Sequence, residues 1–104
     1  MGDDETFHVE MDSHSDDSLT VSLQGELDID DAAWVEATLA AAAEHHGKLS
    51  VDLSGLEFID SAGLRSLITL KQRATILNID VGFENFSPAV SRALNAAGLQ
   101  TTLE

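Results

Sequence analysis

Ser61 lies between Asp60 and the pair Ala62-Gly63, where an apolar run through Leu56, Phe58 and Ile59 gives way to a helical pattern. A hydroxyl at such a junction has three chemical uses. It can cap the helix by accepting a bond from a free first-turn amide, a role Asp60 could fill equally. It can act as a nucleophile, or it can accept a phosphoryl group. Redundant capping does not explain Asp-Ser followed by two small residues, whose lack of bulk implies an open, accessible helix mouth. A phosphate on Ser61 would lie over unsatisfied amides at the positive helix end, while adding about −1.5 to −2 charges that Asp60 repels. These opposed effects suggest a switch that changes a docking surface more than it remodels the domain. A partner presenting acidic or apolar groups there would lose affinity.

Catalysis by Ser61 has less support. "DSAG" lacks the Gly-x-Ser-x-Gly nucleophile turn, and His8, His14, His45 and His46 have no sequence reason to converge on it. His45 and His46 fit a helix C-terminus, where positive charge is favoured, and a metal there would need further ligands. A phospho-aspartate receiver is suggested by "VDLSG" and "DIDD", but a hairpin precedes the acids and the last lysine is Lys71. Asp28, Asp30 and Asp31 read as strand-end and helix-start charges. Trp34 could anchor a partner, but reads first as core or helix-edge packing beside Ala37 and Thr38; Phe58, Leu64 and Val90 read as core and Ser66 as structural. Arg65, one turn into the helix, reads as a surface contact near Ser61 because cations are scarce.

The chain has 104 residues, enough for one domain with a core, and carries 19 acids against 5 bases, a formal charge of −14. Thirteen acids precede the first cation, Lys48, so this half repels nucleic acid and anionic membranes alike. No apolar stretch approaches the roughly 20 residues of a membrane span, and the start, Met1-Gly2-Asp3-Asp4-Glu5, is unlike a signal peptide. A cytoplasmic protein is expected. The acidity reads either as a solubility device or as adaptation to high salt, where self-repulsion is screened.

Positioning Ser61 requires an ordered set of elements. Residues 1–5 are expected to be flexible and 6–104 to form the domain. Thr6 to Met11 and Leu19 to Leu27 alternate as two strands, with "DSHSDDS" between them as a surface loop. A helix follows Asp28-Ile29-Asp30-Asp31 to about His46, with Val35, Leu39, Ala42 and Ala43 on one face and Gly47 ending it. "LSVDL" reads as a strand closed by a turn at Ser54-Gly55. A second helix is expected from about Ala62 to Ile76, with Leu64, Leu67, Ile68, Leu70, Ala74 and Leu77 apolar. A strand near "DVGFE" and a helix capped by Ser87-Pro88, with Val90, Leu94 and Ala97 on one face and Gly98 after it, complete the chain. The order β-β-α-β-α-β-α predicts a single α/β domain with a mixed sheet: an antiparallel hairpin, then parallel βα units, with helices mainly on one face.

"VDLSGLEFIDSAGLRSL" resembles the central motif of STAS domains, "GELDID" from Gly25 to Asp30 their earlier motif, and "FSPAVSRALNAAGL" from Phe86 to Leu99 their closing helix. The resemblance, strongest to the anti-sigma factor antagonists, implies a STAS-like fold of the kind just derived. It places on Ser61 the phosphorylation carried out by a serine kinase that is also an anti-sigma factor. It maps Asp28 and Asp60 to the neighbouring docking surface, for which Ala62, Gly63, Leu64 and Arg65 are further candidates. It also implies partner switching: the unphosphorylated domain binds the kinase and frees a sigma factor, the phosphorylated one lets go, and a phosphatase resets it. ATP and magnesium belong to the kinase, so no cofactor, metal or catalytic residue is assigned here. Ala62 stands where many relatives have a second hydroxyl, leaving Ser61 as the acceptor in that turn. The alternative implied by the family is an interaction subunit of a stress-signalling or transport complex that is not regulated by phosphate.

Overall fold

The computed structural model describes residues 6–15 and 17–104, with His14 and Ser15 as backbone only. The expected flexible segment 1–5 lies outside the described residues. Strands β1 (Phe7–Ser15), β2 (Ser18–Leu27), β3 (Lys48–Ile59) and β4 (Asp80–Glu84) alternate with helices α1 (Ile29–His46), α2 (Ser61–Leu77) and α3 (Pro88–Ala97) in the expected order. The sheet runs β1-β2-β3-β4. β1 pairs antiparallel with β2, while β2 with β3 and β3 with β4 are parallel. Consecutive strands that leave the sheet through a helix must return in the same direction, which makes the mixed sheet follow from the element order.

One face of the sheet forms the core. Leu19, Val21 and Leu23 of β2 and Leu49, Val51 and Leu53 of β3 alternate with polar residues and are buried. Against them pack Val35, Leu39 and Ala43 of α1, Leu64, Leu67, Leu70 and Ala74 of α2, and Val90 and Leu94 of α3. The opposite face carries Thr20, Ser22, Ser50 and Asp52, so it offers a helix nothing to bury.

Four expectations need correction. The supposed loop 12–18 is mostly ladder: β1 continues to Ser15 and β2 starts at Ser18, because edge pairing needs backbone groups rather than apolar side chains. The expected turn at Ser54-Gly55 is absent, and β3 runs through it to Ile59. The pairing with β2 shifts register between Ser22 and Gln24, and the Asp52 carboxylate accepts the Ser54 amide at 2.9 Å. That backbone bond, with side-chain bonds from Ser54 and Asn85, holds the Asp52 carboxyl below its ordinary range despite some burial. Leu77 and Ala97, assigned to apolar faces, are exposed in the last turns of their helices. Phe58, expected in the core, is 48% exposed, since it alternates with buried Ile59 and pairs with Glu26.

Gly25 shows why the first motif contains a glycine. Its φ is +92°, and a Cβ there would overlap the Thr6 carbonyl oxygen, which accepts a bond from the Glu26 amide at 2.6 Å.

Candidate functional site

The parallel pairing of β2 and β3 aligns their last residues, Leu27 with Ile59. The next residues, Asp28 and Asp60, therefore begin α1 and α2 side by side. Asp28 caps α1, its Oδ1 accepting the Asp30 amide at 3.0 Å. Asp60 serves both helices: Oδ1 accepts the Gly63 amide at 2.8 Å and Oδ2 the Ile29 amide at 3.1 Å. Its own amide donates to the Leu27 carbonyl at 3.2 Å. One carboxylate thus joins two helix starts and the end of a strand.

Ser61 is consequently not the cap. It is the first residue of α2, exposed, and among the described residues its hydroxyl has no hydrogen-bond partner. A carboxylate can accept two amides at once and carries charge toward the positive helix end, so it displaces a hydroxyl from that position. The oxygen left over points to solvent.

Ser61 lines an open groove between α1 and α2 with Ala62, Arg65 and Ser66, opposite Ile29, Ala32, Ala33 and Glu36. Ile29 is 72% exposed, Arg65 is exposed and Ala62 is half-buried. Two candidate docking residues face elsewhere: Gly63 and Leu64 are buried. Gly63 is small for a reason other than an open mouth, since an added Cβ would stand 2.6 Å from the Leu27 carbonyl oxygen and 2.9 Å from its Cγ. It lets α2 lie against the end of β2. Buried Ser66 donates its hydroxyl to the Gly63 carbonyl at 2.6 Å. The expected structural role of Ser66 fits that bond.

Sequence reasoning missed Ile29, Ala33 and Glu36. The available signal was Ile29 itself, a lone apolar residue among Asp28, Asp30 and Asp31, out of phase with the buried stripe of Val35 and Leu39. Trp34 departs from the expected packing: it is 53% exposed, because one residue before Val35 turns it about 100° from the core. His8 lies 3.4 Å from Glu10 on β1, and His45 and His46 contact each other edge to face at the end of α1 remote from Asp28. Among the described residues no group of three or more His, Asp or Glu is placed to hold a metal, and no helix is long and apolar enough to cross a membrane.

The chain belongs to the STAS domain family: the family model described as "Mlab, STAS domain" matches residues 10–104. Several solved structures share the fold. An anti-sigma factor antagonist from Mycobacterium paratuberculosis is 28% identical, with a TM-score of 0.76 over 93% of this chain and 82% of that one. RsbS from Moorella thermoacetica, in a form with a serine replaced by glutamate, is 25% identical, with a TM-score of 0.71 over 90% and 80%. The Bacillus cell fate determinant SpoIIAA in its phosphorylated form is 18% identical, with a TM-score of 0.71 over 88% and 85%. The last likeness is one of fold.

Proposed function

We propose that the chain is a partner-switching signalling protein whose docking groove is controlled by phosphorylation of Ser61. The observation that carries this reading is the division of labour at the helix mouth: Asp60 makes both capping bonds, leaving the Ser61 hydroxyl exposed and without a protein partner among the described residues. A kinase can reach that oxygen without unfolding the helix start. The transfer joins the γ-phosphoryl group of ATP to Ser61 Oγ, with the hydroxyl proton lost to a base and ADP released. The partner is a serine kinase that is also an anti-sigma factor. A phosphatase resets the serine by hydrolysis, water taking the phosphoryl group as inorganic phosphate and the hydroxyl being restored.

In the unphosphorylated form Ile29, Ala33 and Ala62 offer apolar contact with Arg65 beside them, and the capping carboxylates of Asp28 and Asp60 stand at the starts of the two helices that flank the groove. A dianion in this groove must be desolvated or opposed when a partner closes over it, so binding weakens. The structures of a phosphorylated SpoIIAA and of a glutamate-substituted RsbS on the same fold support the reading. The second reading, an interaction subunit that never receives phosphate, uses the same groove.

Labelling with ATP and each purified serine kinase of the source organism tests the proposal. Wild type is expected to take up phosphate and Ser61→Ala none, while Ser61→Glu binds the labelling kinase roughly 10- to 100-fold more weakly than wild type. Wild type that binds a partner yet never labels selects the second reading; equal binding by Ser61→Glu removes the switch.

A further inference from the structure

We infer that a phosphate on Ser61 is held by Arg65, so that phosphorylation also withdraws from any partner the one cation among the described residues that line the groove. The inference rests on Ser61 being the phosphorylated hydroxyl. Ser61 and Arg65 stand four residues apart on α2, where side chains are neighbours with Cβ atoms roughly 5–6 Å apart, and the acid-before-base order is the favourable one. Both side chains are exposed and line the same groove.

Arg65 is available for this. Among the described residues it makes no ion pair, whereas Lys71 donates to the Val81 carbonyl at 3.1 Å and Arg73 pairs with Glu36 at 3.5 Å. The acids nearby raise the need for a counter-charge. Asp28 and Asp60 stand at the two helix mouths, their carboxylates engaged with backbone amides, and Glu36 faces the groove from α1. A guanidinium fork matches two phosphate oxygens at once, which a point charge does not. Once engaged, Arg65 no longer meets a carboxylate on a partner. Phosphorylation then acts twice, by adding negative charge to the groove and by occupying its cation.

The full chain with phosphoserine installed at position 61 during translation tests this without a kinase or partner. Phosphorus NMR follows the second ionisation of the phosphate, which lies near pH 6 in an unperturbed phosphoserine, at about 6. An adjacent cation favours the dianion, so Arg65→Gln is expected to raise the phosphate pKa by about half a unit or more relative to wild type, and Arg65→Lys by less. Arg92→Gln, which removes an exposed cation from α3, controls for net charge and is expected to leave the titration in place. Coincident curves for wild type and Arg65→Gln overturn the inference, as does an equal rise in Arg92→Gln. Absence of kinase labelling would count against the proposed function and leave this titration unaffected.

Discussion

Asp60 occupies the position where a capping serine could have stood, and its two bonds explain why the neighbouring hydroxyl is free for other chemistry. Replacing it with alanine strands the amides of Ile29 and Gly63 at once. Loss of a helix cap costs about 0.5–2 kcal/mol, and two stranded amides place Asp60→Ala at about 2 kcal/mol. Asparagine keeps one accepting oxygen and turns a donor toward the other amide, so Asp60→Asn is expected to fall between alanine and wild type. Ser61→Ala touches neither bond and is expected to stay within about 0.5 kcal/mol of wild type. Urea unfolding of the three variants measures the order; a loss in Ser61→Ala as large as in Asp60→Ala would return the capping role to the serine. Which of Asp60 and Ser61 caps was undecidable from sequence, because both types accept amides and the choice depends on the reach of Asp60 to Ile29, 31 residues away.

At the scale of elements, the site exists because two parallel strands end in register and Gly63 lets the second helix lie against the first strand's end. Gly63→Ala places a Cβ 2.6 Å from a backbone oxygen and 3.0 Å from Ile59 Cγ1, neither free to swing away as the tip of a long side chain could. Overpacking of this kind costs roughly 1–3 kcal/mol, and it acts by pushing α2 from β2. The expected result is lower stability in urea together with faster hydrogen exchange at the Ile29 amide, which loses its Asp60 acceptor as the helix moves. Exchange unchanged at Ile29 would show that the strain is absorbed elsewhere. Element order, the three helix ends at Gly47, Asn78 and Gly98, and the Ser87-Pro88 start follow local rules, which is why all but the asparagine end were legible beforehand. The continuation of β3 through Ser54-Gly55 was not, since a register shift against β2 is a property of the pair. Ile29 stood out of phase with the buried stripe, but the groove it lines depends on where α2 packs.

For the whole molecule the open question is how a chain with 19 acids against 5 bases tolerates its own charge. Most carboxylates have no opposite charge available, and pairing across the polar face of the sheet brings some together. Glu10 is opposite Ser22, Ser22 opposite Asp52, and Asp52 opposite Glu84, a row with three acids and no base. Like charges opposite one another on a sheet are destabilising, and salt shortens their reach from about 10 Å at 0.1 M to about 3 Å at 1 M. Sodium chloride, a weakly excluded salt, is therefore expected to stabilise the chain by about 1 kcal/mol between low and molar concentration, read as a rise in Tm of about 4–8 °C. Glu84→Gln, on an exposed side chain, is expected to raise stability at low salt and reduce the slope. Thermal unfolding across the salt series checks both. A flat series would mean that the carboxylates are spaced widely enough to serve solubility alone, whereas the expected rise, diminished in Glu84→Gln, would locate part of the self-repulsion on the open face, opposite the helices that flank the Ser61 groove.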